Sequence, residues 1–89
     1  MKWDIIIDSS AGREFDELDK MNQKRIAKFL YERLAFLDDP RSIGEALKGS
    51  RFGDLWKYRV GDYRLIAKIH DQFVQILIVK MGNRREVYR

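Results

Sequence analysis

The chain has 89 residues, 45% of them hydrophobic and 12% aromatic, enough apolar mass for one core and too little length for a second, so residues 1–89 are read as a single domain. It contains no cysteine and one histidine, which excludes a disulfide scaffold, thiolate chemistry and a multi-histidine metal site, and no metal or cofactor is expected. The net charge of +4 is uneven: residues 1–50 carry nine Lys/Arg against ten Asp/Glu and residues 51–89 nine against four, so the excess is C-terminal and suits a phosphate-binding surface or an acidic protein partner.

In chain order, Trp3-Asp4-Ile5-Ile6-Ile7 reads as a short β-branched strand. Three isoleucines fall far short of a signal-peptide core or a membrane span, so a soluble, cytoplasmic protein without membrane contact is expected. Ser9 or Ser10 is placed to cap a short helix whose body carries Phe15 and Leu18 on one side. Asn22 is the candidate cap of a longer helix reaching about Asp38. Its apolar stripe is Ile26, Phe29, Leu30, Leu34 and Leu37 at three- and four-residue spacing, and Pro40 stops it. Residues 40–53, with Gly44, Gly49 and Gly53, read as a connecting loop in which Ala46-Leu47-Lys48 docks onto the core.

From Leu55 onward the pattern is all strand. Segments 55–60, 63–70 and 73–81 form a three-strand meander, the second turn being Asp71-Gln72. Trp56, Tyr58 and Val60 alternate with Lys57 and Arg59, so one face is core and the other presents cations. Gly61-Asp62 suits a type II′ turn, which sets Val60 opposite Tyr63 and Arg59 opposite Arg64. Facing arginines oppose folding, and an anion between them would relieve the repulsion. The run Phe73 to Val79 is apolar at nearly every position, as in a central strand covered on both sides, so the cationic face has an apolar floor of Ile66, Leu77 and Val79. With the first strand in the same sheet, the expected fold is α+β, ordered β-α-α-β-β-β, with two N-terminal helices packed on an antiparallel sheet of about four strands. His70, at a strand end beside a turn, reads as a surface residue.

The element order, the hairpin WKYRVGDYRL, the strand QILIVKMG and the ending GNRREVYR together resemble the RelE/ParE superfamily of toxins over essentially the whole chain. The ending is most similar to RelE-type members. That resemblance implies the toxin of a type II toxin-antitoxin system: a ribosome-dependent, metal-independent endoribonuclease that cuts messenger RNA in the A site. ParE-type members share the fold, act on DNA gyrase and generally lack the basic set, which makes gyrase inhibition the alternative. Implied partners are a cognate RelB-like antitoxin, the ribosome and its message, with operator DNA reached only indirectly through the antitoxin complex. Carried over by position, the catalytic set falls on Lys57, Arg59, Arg64, Arg84 and Tyr88. Lys48, Arg51, Lys68, Arg85 and Arg89 are the accessory RNA- or ribosome-binding cations.

Two departures bear on the chemistry. Asn83 stands where many relatives carry histidine, and Arg59 replaces a lysine, making it a phosphate clamp and a poor base. Metal-free cleavage needs a proton taken from the 2′-hydroxyl, charge stabilisation on the phosphate and a proton for the leaving 5′-oxygen. Arg59, Arg64 and Arg84 suit the second task. Lys57 is the candidate base or charge stabiliser, Arg84 also serves the leaving group, and Tyr88 orients the 2′-hydroxyl or stacks on a base.

Overall fold

The computed structural model describes residues 2–47 and 54–83. Strand β1 (Asp4–Ile7) leads into helices α1 (Ser9–Asp16) and α2 (Lys20–Lys28), followed by the two-residue strand β2 (Glu45–Ala46) and the meander β3 (Leu55–Val60), β4 (Tyr63–His70) and β5 (Gln75–Asn83). The strands form one sheet in the order β1-β5-β4-β3-β2. The α+β fold with two N-terminal helices is as expected, but the sheet has five strands and is mixed. β1 pairs with β5 in parallel, Ile5 beside Ile76 and Ile7 beside Ile78, and β2 adds an antiparallel edge beside β3.

The helix boundaries shift for local reasons. Asp8, not Ser9 or Ser10, caps α1, its carboxylate accepting the Ser10 N–H at 3.1 Å. Asp19 precedes α2 as its N-cap, while Asn22 lies inside the helix and donates its amide to the Asp19 carboxylate at 2.6 Å. Beyond Lys28 the helix continues as a π turn over Phe29–Arg33 and a 3₁₀ turn over Leu34–Phe36. The wider turn lets the Leu34 N–H reach the carbonyls of both Phe29 and Leu30, and Ile26, Leu30, Leu34 and Ala35 are all fully buried. The helical stretch thus ends just short of the expected Asp38, and Pro40 opens a 3₁₀ turn with Asp39 as its cap.

One face of the sheet meets the helices. Tyr58, Leu65, Ala67, Ile76, Ile78 and Met81 pack there with Trp3, Ala11, Ile26, Leu30 and Leu34, while Trp56, Val60 and Tyr63 lie at the margin of that core. Polar ties join the layers. The Trp3 indole N–H donates to the Leu37 carbonyl at 3.1 Å, and the Met81 N–H donates to the Glu14 carboxylate at 3.0 Å.

Strand β5 lies between β1 and β4, so it is central in the ladder. Among the described residues only its helix side is fully covered: Ile76, Ile78 and Met81 are buried, whereas Leu77 and Val79 are half-buried. The turn before it also differs. Asp71–Phe73 make a 3₁₀ turn and Val74 takes a left-handed conformation at φ 51°, so the strand begins at Gln75 and runs to Asn83. A β-branched residue there is strained, and packing of Val74 against the core offsets that cost.

Candidate functional site

The β3–β4 hairpin has the register its sequence implies. Val60 pairs with Tyr63 and Arg59 with Arg64 across Gly61-Asp62. Gly61 sits at φ +60° and Asp62 is not in the positive-φ region, the signature of a type II′ turn. With Tyr58 fixed inward at 1% exposure, alternation sends Lys57 and Arg59 to the face opposite the helices. On β4 the same face receives Arg64, Ile66 and Lys68.

Lys57, Arg59 and Arg64 come together with Ile43 and Glu45 around a cavity of about 160 Å³. Arg64 is the deepest of the cations at 8% exposure. Its Nη1 donates to the Tyr63 carbonyl at 3.1 Å and more weakly to the Gly61 carbonyl at 3.4 Å, so the hairpin turn holds the guanidinium in place. Lys57 Nζ lies 3.0 Å from Glu45 Oε2. That ammonium, through its hydrogen bond and then its charge, holds the Glu45 carboxyl below the usual carboxylate range, and the charge of Arg64 adds to the effect. The cavity therefore combines three cations suited to an anion with one carboxylate able to accept a proton.

The floor of this face is partly apolar. Ile66 is 3% exposed and sits between Lys57 on β3 and Lys80 on β5. Further along, Leu77 lies between Lys68 and Ile6, and Ile6 is 43% exposed. Val79 falls at a register shift, where Ile66 pairs with Lys80 but Ala67 with Ile78. Lys68 is on the face but outside the cavity. His70 ends β4 opposite Gln75, six residues from Arg64 and so about 20 Å along the strand, remote from the cations. Tyr58 is core: burial pushes its hydroxyl up to about 12, and the group donates to the Pro40 carbonyl at 2.6 Å.

Arg84, Tyr88, Arg85, Arg89, Lys48 and Arg51 lie outside the described residues. β5 does carry the chain to Asn83, opposite Tyr63, with Gly82 opposite Arg64. The described part of β5 therefore ends at the hairpin end of the sheet, where the cavity is. Sequence reading missed Glu45 and Ile43. Both belong to a stretch read as loop, where a two-residue strand leaves no periodic signal. Among the described residues no group of three or more His, Cys, Asp or Glu side chains is placed to hold a metal ion. Nor, among them, is any helix long and apolar enough to cross a membrane.

A family model described as the ParE toxin of the type II toxin-antitoxin system parDE matches residues 5–88. No curated protein gives a significant match. Solved structures do. A chain of the archaeal RelE-RelB complex from Pyrococcus horikoshii OT3 is 27% identical, with 97% of this chain and 99% of that one covered and a TM-score of 0.76. A chain of the intact E. coli RelBE toxin-antitoxin complex is 25% identical over 91% of this chain and 95% of that one, with a TM-score of 0.70. A chain of the RelBE2 complex from Mycobacterium tuberculosis is 20% identical over 97% of this chain and 95% of that one; its TM-score of 0.84 marks a shared fold.

Proposed function

From the premise that this chain belongs to the RelE/ParE superfamily as a toxin of a type II toxin-antitoxin system, we propose that it is a ribosome-dependent endoribonuclease that cuts messenger RNA in the A site. The observation that carries this reading is the cavity in which Lys57, Arg59 and Arg64 converge beside Glu45. A phosphodiester fits such a site: two forked guanidiniums and an ammonium match its oxygens and the charge that grows on them.

The 2′-oxygen attacks phosphorus as its proton passes to a base, the bond from phosphorus to the 5′-oxygen breaks, and that oxygen takes up a proton. The products are a 2′,3′-cyclic phosphate and a 5′-hydroxyl. Glu45 is the base best supported by position, since its carboxylate is ionised at neutral pH and sits in the cavity. Lys57, engaged with that carboxylate, then acts as a charge stabiliser, together with Arg59 and Arg64. Arg84 is assigned to the leaving group and Tyr88 to orienting the 2′-hydroxyl, with Lys48, Arg51, Lys68, Arg85 and Arg89 steering RNA. A carboxylate held below its usual range is a weak base, so cleavage of free RNA should be slow and the ribosome's positioning of the message essential.

A cognate RelB-like antitoxin in the cytoplasm is the proposed restraint. Acidic residues in it would neutralise the basic face, and an amphipathic helix would cover Ile6 and Leu77. Operator DNA would be contacted only through that complex. The family model's ParE description favours a second reading, inhibition of DNA gyrase without nuclease activity. Translating ribosomes incubated with the protein separate the two. A-site cuts that vanish in Arg64→Ala support the nuclease, whereas intact messages together with trapped gyrase-DNA complexes support the inhibitor.

A further inference from the structure

A strand of two residues is a weak support for one wall of a site. Among the described residues β2 has two registered pairs with β3, Glu45 with Lys57 and Ala46 with Trp56, followed by one backbone bond from the Leu47 N–H to the Leu55 carbonyl at 3.0 Å, yet it delivers Glu45 to the cavity. The segment before it is fastened by other means. The buried Tyr58 hydroxyl donates to the Pro40 carbonyl at 2.6 Å. Gly44 rests against the same ring so closely that a Cβ there would come within 2.9 Å of a ring carbon. Arg41 makes a two-pronged bond to Asp71, at 3.1 and 2.6 Å, and lies over the Trp56 ring at 5.9 Å from its centroid. Asp71 follows the end of β4 remote from Arg64. A strap formed by residues 40–46 is therefore tied at one end of the sheet and places its tip at the cavity.

We infer that Tyr58, Arg41 and Asp71 are positioning residues for the proposed reaction, clamping this strap so that Glu45 and Ile43 face Lys57, Arg59 and Arg64 before RNA arrives. The inference rests on the endoribonuclease reading for its catalytic consequence, but the placement of Glu45 can be measured without it. An exposed ion pair such as Arg41–Asp71 adds little to global stability, whereas a small displacement at a reacting group is costly in rate.

The test uses Asp71→Asn, Arg41→Gln, their double variant, Tyr58→Phe and Asp71→Glu, all studied well below their unfolding midpoints. Two readouts apply: titration of the Glu45 side-chain carboxyl by carbon NMR in the free protein, and the rate of A-site cleavage on ribosomes. Each of Asp71→Asn, Arg41→Gln and Tyr58→Phe should move the Glu45 midpoint up toward its ordinary value and slow cleavage about tenfold. The double variant should be no slower than Arg41→Gln, since that variant already removes the bond to Asp71, and Asp71→Glu should keep most of the rate. A Glu45 titration unchanged in Asp71→Asn and Tyr58→Phe, or cleavage that those variants leave intact, would overturn the inference. If the unaltered protein leaves messages uncut, the endoribonuclease reading fails, and the titration alone then decides whether these residues position Glu45.

Discussion

Replacing Arg59 by Gln should stabilise the fold while weakening the site. Arg59 and Arg64 are directly paired across the hairpin, Arg59 exposed and Arg64 only 8% exposed. Two unit charges at roughly 6 Å in a water-like dielectric repel by about 0.7 kcal/mol, within the span expected for like charges facing each other across two strands. For a domain of this size that corresponds to a rise in unfolding midpoint of about 3–5 °C. The screening length shrinks from about 30 Å at 0.01 M salt to about 3 Å at 1 M, so the gain should be large at low salt and nearly absent at high salt. Thermal unfolding followed by circular dichroism at the two ionic strengths measures it directly. Added phosphate should raise the midpoint of the unaltered protein more than that of Arg59→Gln, because an anion between the arginines replaces repulsion by attraction. A lower midpoint for the variant at low salt, or a gain indifferent to salt, would refute the facing-arginine account.

Glu45→Gln should slow ribosome-dependent cleavage by about 100-fold or more if the carboxylate takes the 2′-hydroxyl proton, and should remove the acid limb of the pH-rate profile. Because the Glu45 carboxyl is lowered in the folded state, its pairing with Lys57 favours folding above the unfolded value near 4.5, and that contribution disappears as the pH falls through the folded value. The parent protein should therefore be more stable than Glu45→Gln above the unfolded value, and the difference should vanish as the pH falls through the folded value. Leu34→Ala, at a fully buried position, should cost about 2–5 kcal/mol in urea unfolding. A loss under about 1 kcal/mol would mean that the π turn at Phe29–Arg33 does not seat Leu34 as described.

The hairpin was legible because two independent signals agree there. Alternation assigned Trp56 and Tyr58 to the core face and Lys57 and Arg59 to the other, and Gly61 with Asp62 admitted one short turn, which fixed the register. The stripe Ile26, Leu30 and Leu34 was legible for the same reason, as helical spacing and burial coincide. Where only one signal existed, reading was incomplete. The apolar run of β5 tells that the strand is central but not whether one face or both are covered, since Leu77 and Ile78 look alike as sequence and differ in burial. Nothing in Ile5-Ile6-Ile7 names its partner, so the parallel pairing with β5 was invisible. The strap carrying Glu45 was invisible for a different reason. It is held by Tyr58, Arg41 and Asp71, contacts between residues up to 30 positions apart that leave no local pattern.

The central claim is that the convergence of Lys57, Arg59 and Arg64 beside Glu45 makes an RNA-cleaving site, and A-site mapping on translating ribosomes tests it most directly. The purified protein should give messages cut within the A-site codon and ending in a 2′,3′-cyclic phosphate, and Arg64→Ala should lower the rate by about 100- to 1,000-fold while the fold, read by circular dichroism, is retained. Messages left whole by the folded, unaltered protein, or an Arg64→Ala variant that cuts as fast as the parent, would contradict it.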